Sequence, residues 1–178
     1  PAMTYARELV TSGQLGTPIQ LRASYLMDFA FDYPDWGRTD SSIGSNDDIG
    51  THVIDLAQHL LGPITSVSAR QHGRTWEGPD APATVVDAGA LFLAEFACGA
   101  IGTFAHSVVA HGRKNEIQLE LDASGGAIEF DWNHRDEIQV AIPAPGQAYA
   151  PLSTVHMGPE HEGSWWPQAG MGSGYLEG

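Results

Sequence analysis

Four residues at one-turn spacing carry the first chemistry in this sequence: Asp48, His52, Asp55 and His59. At ~100° per residue they fall within ~60° of one another on a helix and line one edge of it. Asp48 and His52 are one turn apart, within hydrogen-bonding reach on an α-helix. A carboxylate beside an imidazole fixes its tautomer and raises its basicity, as a general base working near neutral pH requires. Oxidation of an alcohol by hydride transfer needs such a base to take the hydroxyl proton. Two other readings fit the same spacing. One is a solvated helix face with an i,i+4 pair, and spacing alone favours it. The other is a metal site, since these side chains offer N and O ligands. The four span ~16 Å of helical rise and cannot all meet one ion, which leaves His52 with Asp48 or Asp55 and a ligand from the tail, His156 or His161.

The elements that must carry this stripe can be read from periodicity. The stripe's helix is expected over roughly Asp47 to Leu61, with Ile49, Val53, Leu56 and Leu60 as its core face. Ser45 and Asp48 resemble a capping box with Asp in place of Glu, and Gly62-Pro63 is a stop signal. Gly50 near the helix start implies close approach of another group, or a helix that begins one residue later. A first helix is expected over Met3 to Val10, ended by Gly13 and Gly16. A chain that opens directly on a helix reads as a piece of something longer.

From Ile19 the period changes to two, giving a strand through Leu21, Ala23, Tyr25, Met27 and Phe29. Tyr25 belongs to its apolar stripe and reads as core. After the loop from Asp32 to Gly44 and the second helix, the pattern is mostly strand. The segments are Ile64 to Ala69, Thr84 to Phe96, Ile101 to Val109, Glu116 to Asp122, Ile128 to Trp132, and Ile138 to Ile142. Short turns between them imply an antiparallel meander. The fold class expected is α+β: an open, predominantly antiparallel sheet with helices packed on one face. The Gly- and Pro-rich stretch from Pro143 onward reads as an irregular arm.

Composition bounds the partners. The 178 residues carry a net charge of −14, from 22 acidic and 8 basic side chains. That balance opposes nucleic acid and anionic membrane surfaces, both of which call for clustered Lys and Arg. A neutral substrate fits better. Cys98 is the only cysteine; it reads as a small buried side chain at a hairpin and demands no oxidising compartment. With no secretory leader pattern and no apolar run of membrane-spanning length, the expected location is the cytoplasm.

The run Asp48-Ile49-Gly50-Thr51-His52-Val53-Ile54-Asp55-Leu56-Ala57 resembles the D-x-G-x-H-x-x-D-L-A segment of the glucose-fructose oxidoreductase/inositol dehydrogenase/rhizopine-catabolism family. The likeness extends to Glu8–Gly16, to Tyr25–Asp28 with Trp36–Arg38, to Gly112-Arg113-Lys114-Asn115 with Leu119-Glu120, to Ser124–Ala127, and to Gly174–Glu177. It implies a C-terminal substrate domain over residues 1–178, similar to those of dihydrodipicolinate reductase and glyceraldehyde-phosphate dehydrogenase. It further implies a separate Rossmann domain that holds NAD or NADP and supplies a Lys from an E-K-P motif. In this sequence no G-x-G-x-x-G run follows a strand and no E-K-P occurs.

What the resemblance implies for the site is an acid/base at His52, oriented by Asp48, with Asp55 structural. The substrate would be a sugar or polyol. Trp36 and Arg38, in the loop before the helix, are candidates to stack on it and hydrogen-bond it. His106, Ser107, Arg113 and His161 are further substrate-facing candidates, and no metal is assigned. A homo-oligomer, dimer or tetramer, through the exposed sheet face is expected. The rival from another class is a non-catalytic sugar-binding or assembly domain. A metal-binding domain is the weaker rival.

Overall fold

Each of the two helices buries one stripe, and both stripes close on the same face of a sheet. The computed structural model describes residues 1–32, 43–73 and 87–161. Helix α1 (Ala2–Thr11) buries Ala2, Ala6 and Leu9, and helix α2 (Thr51–Leu61) buries Val53, Ala57, Leu60 and Leu61. The strands are β1 (Pro18–Leu26), β2 (Ile64–Gly73), β3 (Asp87–Phe96), β4 (Ile101–Ser107), β5 (Glu116–Ala123), β6 (Gly126–Asp131), β7 (Glu137–Ala141) and β8 (Ser153–His156). The strands form one sheet in the order β2-β3-β4-β1-β5-β6-β7-β8. Alternation sends Leu21, Ala23 and Tyr25 of β1, Phe104 and His106 of β4, and Leu119 and Leu121 of β5 beneath the helices. The opposite face is uncovered and carries Arg22, Ser24, Leu91, Leu93 and Thr103.

The α+β class, two helices on one face of a largely antiparallel sheet, is as expected, with one exception to the meander. Strand β1 pairs antiparallel with β5 but parallel with β4, Tyr25 standing opposite His106 and Leu26 opposite Ser107. The parallel pair arises because the β2-β3-β4 meander enters the sheet beside β1 after the helical crossover.

Several boundaries also differ. Strand β1 stops at Leu26 instead of Phe29, because a 3₁₀ turn at Phe29–Phe31 follows it. Strand β2 continues past Ala69 to Gly73, paired along β3. The tail is more than an irregular arm: Ser153–His156 adds an eighth strand against β7, with Gln139 and Thr154 bonded side chain to side chain. Cys98 does sit at a hairpin but is exposed, in the turn whose Gly99 takes φ 90°. No described helix is long and apolar enough to cross a membrane.

Candidate active site

The stripe's helix begins with a departure from α geometry. Asn46–Gly50 forms a π turn, and the α-helix proper starts at Thr51. The expected Ser45/Asp48 capping box does not form. Ser45 instead donates its hydroxyl to Asp87 at 2.6 Å, and Asp87 also accepts from the backbone N–H of Asn46 at 2.8 Å. A carboxylate at the start of β3 therefore caps the helix from across the sheet, where the N-terminal partial charge favours it.

The π turn sets the relation between Asp48 and His52. It closes its hydrogen bonds from i to i+5, so residues four apart are no longer stacked as on an α-helix. Among the described residues, Asp48 and His52 share no hydrogen bond or ion pair, contrary to the expectation from α spacing. His52 is exposed, and its ring meets Tyr25 edge-on, with centroids 5.7 Å apart and planes at 61°. Farther along the stripe, His59 is taken up by Arg7 of α1 at 3.0 Å, and Asp55 is exposed. Among the described residues, no group of three or more His, Cys, Asp or Glu side chains is placed to hold a metal ion.

Tyr25 is the residue that the sequence undervalued. It does lie on the buried stripe, 7% exposed, but at the last turn of β1 its ring reaches the catalytic candidate. Its hydroxyl donates to Asn115 Oδ1, just ahead of β5. Burial, and then the charge of Asp48, push this hydroxyl above the ordinary phenol pKa. Asn115 adopts φ 58°. A Tyr within an otherwise apolar stripe was the available signal, since a buried phenol needs a partner that Phe does not.

The other candidates separate. His106 is only 2% exposed and packs beneath Gly50, whose hydrogen leaves room for the ring. Among the described residues neither of its nitrogens has a hydrogen-bond partner, and burial pushes its pKa below the ordinary imidazole value. In this position it supports the helix start from below and does not face outward as a substrate contact would. Ser107 lies one residue on and accepts from the N–H of Val109. Arg113 is occupied by Glu116, with its Nη1 2.6 and 2.7 Å from the two carboxylate oxygens. His161 rests against Tyr5 of α1, with centroids 5.0 Å apart, and accepts from the N–H of Gly158. It follows β8, four strands from β1, so the described structure does not bring it to His52. Trp36 and Arg38 lie outside the described residues.

The site is thus an edge where β1 and β4 end and β5 begins, under the N-terminus of the second helix. Residues 3–129 match the family model described as the GFO/IDH/MocA C-terminal domain. Levoglucosan dehydrogenase of Pseudarthrobacter phenanthrenivorans is 34% identical over 203 residues, covering 99% of this chain and 52% of that protein. Among solved structures, a levoglucosan dehydrogenase in complex with NADH and levoglucosan superimposes with a TM-score of 0.86 at 35% identity, covering 99% of this chain and 50% of that one. An oxidoreductase domain protein from Kribbella flavida gives 0.81 at 34% identity, covering 94% and 48% respectively. This chain therefore spans about half the length of the relatives it matches. The chain belongs to the GFO/IDH/MocA family, as a C-terminal domain of it.

Proposed function

We propose that residues 1–178 form the substrate domain of an NAD(P)-dependent oxidoreductase that removes a hydride from a hydroxyl-bearing carbon of a sugar or polyol. The observation that carries this reading is the exposed imidazole of His52 in the first turn of α2, directly after the π turn that bears Asp48. Relatives whose structures hold NADH together with levoglucosan or L-sorbose supply the substrate class.

The described residues form one sheet under two helices, with no βαβ unit and no Gly-rich phosphate loop, so they do not fit a dinucleotide. The nucleotide belongs to a domain outside this chain; when bound there, it supplies the hydride acceptor. On this chain, His52 takes the proton from the substrate hydroxyl as the C–H hydride leaves and the carbonyl forms. Asp48, in the adjacent turn, offsets the charge of the resulting imidazolium. General base catalysis of this kind contributes ~10²- to 10⁴-fold. Trp36, Arg38 and Arg113 remain proposed substrate contacts, with Ser107 and His161 as proposed peripheral ones.

We also propose a homo-oligomer formed through the uncovered sheet face. Leu91 and Leu93 are 65% and 58% exposed there, side by side with Thr103 and Ala105. An apolar patch on the uncovered face of an open sheet, one strand in from its β2 edge, suits a self-complementary contact. A reducing, cytoplasmic setting agrees with the exposed thiol of Cys98.

The test is formation of reduced nicotinamide by the full-length protein with NAD+ or NADP+ and a panel of anhydrosugars, sugars and polyols, with His52→Gln alongside. We expect turnover that falls by at least ~10²-fold in the variant while substrate binding is kept. Equal turnover in both proteins would move the chemistry away from His52. Sugar binding without turnover in the wild type would favour the non-catalytic reading.

A further inference from the structure

We propose that Tyr25 is a positioning residue for His52, and that Asn115 is the anchor that fixes it. The inference rests on the reading of His52 as the base, and deepens it by identifying what holds the imidazole in place.

Three observations carry it. First, Tyr25 is the described aromatic side chain in contact with the His52 ring, and the contact is edge-on, at 5.7 Å and 61°. An edge contact is directional, because the ring's electron-poor rim faces its neighbour's electron-rich face. It therefore favours one tilt of the imidazole over others. His52 is exposed and has no other described partner to choose that tilt.

Second, packing alone does not explain a tyrosine here. The side chains beside it on the covered face are Ala23 on β1, Ile117 on β5 and His106 on β4, whose ring nitrogens take no hydrogen bond from the phenol, and a Phe would fill the same space. The buried hydroxyl has to be satisfied, and Asn115 satisfies it. With its proton committed to Asn115 Oδ1, the phenol is anchored at its far end and does not withdraw from the helix.

Third, Asn115 is held in place. Its φ of 58° lies in the left-handed region, which Asn tolerates better than other residues with a side chain. The loop it ends is tied down on both sides. Lys114 donates to Asp28 at 2.7 Å, Gly112 N–H donates to the same carboxylate at 3.0 Å, and Arg113 grips Glu116. The chain thus spends an uncommon backbone conformation and a pinned loop on a hydroxyl whose ring ends against the base. The charged and titratable groups around Tyr25 are Asp48 from the π turn, His52 from α2 and His106 from β4.

The experiment uses the full-length protein and two variants that break the same hydrogen bond from opposite ends. Tyr25→Phe keeps the ring and removes the donor. Asn115→Gly removes the acceptor and keeps the left-handed backbone, which Gly adopts freely. Each is expected to lower kcat ~10-fold, short of the ~10²-fold that a 1 Å misplacement costs, with KM within about twofold. The double variant is expected to be no worse than either single one, since one bond is lost in every case. The acid limb of the kcat/KM profile, which reports the base in the free enzyme, is expected to move in both variants. A fall in thermal stability with kcat and the acid limb unchanged would make Tyr25 core only, and would overturn the proposal. A rise in KM alone would overturn it too, by making Tyr25 a substrate contact. Should the wild type turn over no sugar or polyol, the proposed function fails separately. The titration of the His52 ring protons by NMR then decides the positioning role: a shift in both variants supports it, and an unchanged titration overturns it.

Discussion

A Cβ placed on Gly50 would lie 3.0 Å from Cε1 and 3.1 Å from Nδ1 of His106. The helix that carries the candidate base therefore rests on a buried imidazole, and a methyl at position 50 would require that ring to give by a few tenths of an ångström. Gly50→Ala pits two effects against each other. Replacing Gly within a helix gains up to ~1 kcal/mol, whereas overpacking a filled site typically loses 1–3 kcal/mol. Asn46 Oδ1, 3.3 Å from the same point, crowds the new methyl from a second side. We expect net destabilisation of ~1 kcal/mol in denaturant unfolding. Adding His106→Ala to Gly50→Ala should relieve the clash, so that the two changes together destabilise less than their sum.

His106 should also make stability depend on pH. Burial holds its pKa below 6.5, with His72 adding to the depression and Asp87 opposing it. Well above 6.5 the ring is neutral whether the chain is folded or unfolded, and the group is without effect. As the pH falls below 6.5, the unfolded chain takes the proton before the folded one does. Stability is therefore lost on the acid side, down to the folded-state pKa, at up to ~1.4 kcal/mol per unit. Denaturant midpoints of the wild type should fall between pH 8 and pH 5 relative to those of His106→Phe. Parallel curves for the two proteins would show that the loss comes from other groups.

The part of this architecture that periodicity expresses was legible beforehand. Leu21, Ala23 and Tyr25 alternate on one face, and Ile49, Val53 and Leu60 follow the helical period, so the layers follow from the sequence, although the helix buries Ala57 and leaves the expected Leu56 half-exposed. Relations between distant residues were not. Nothing local says that Asp87 caps a helix begun at residue 46, or that β4 runs parallel to β1. Gly50 did signal a close approach, but the approaching group comes from position 106. Tyr25 shows the same limit from another side. Alternation put its ring in the core correctly, yet could not show that the last residue of a buried stripe touches the first turn of a helix.

The uncovered sheet face offers a prediction about assembly. Arg22 is saturated by Glu120 at 2.6 Å and Asp122 at 2.7 Å, so the polar border of the apolar patch is already paired. These groups are more than a third exposed, and each pair contributes little to folding, ~0–1 kcal/mol. A charge at Leu91 or Leu93 would leave the core intact, since both side chains point away from it. Leu91→Glu and Leu93→Glu are therefore expected to lower the mass measured by light scattering to that of the monomer, with the thermal midpoint of the monomer little changed. Retention of the wild-type mass in both variants would exclude this face as the contact.

Asp87 joins the fold to the chemistry most directly. Its carboxylate accepts from Ser45 Oγ and Asn46 N, and a Cβ on Gly44 would fall 1.6 Å from its Oδ1, so the segment before the helix is shaped around it. Asp87→Ala leaves a fully buried Ser45 hydroxyl and a helix-terminal N–H without their acceptor, an expected loss of ~1–3 kcal/mol. Asp87→Asn keeps an oxygen in place and removes the charge that the helix N-terminus favours, a smaller loss of ~0.3–1 kcal/mol. Amide hydrogen exchange should separate the two, with residues 46–50 opening faster in the Ala variant than in the Asn variant. Since Asp48 and His52 ride on this turn, activity of the full-length protein should fall in the same order. An Ala variant with the unfolding midpoint and exchange rates of the wild type would mean that the π turn holds itself, without the cap from β3.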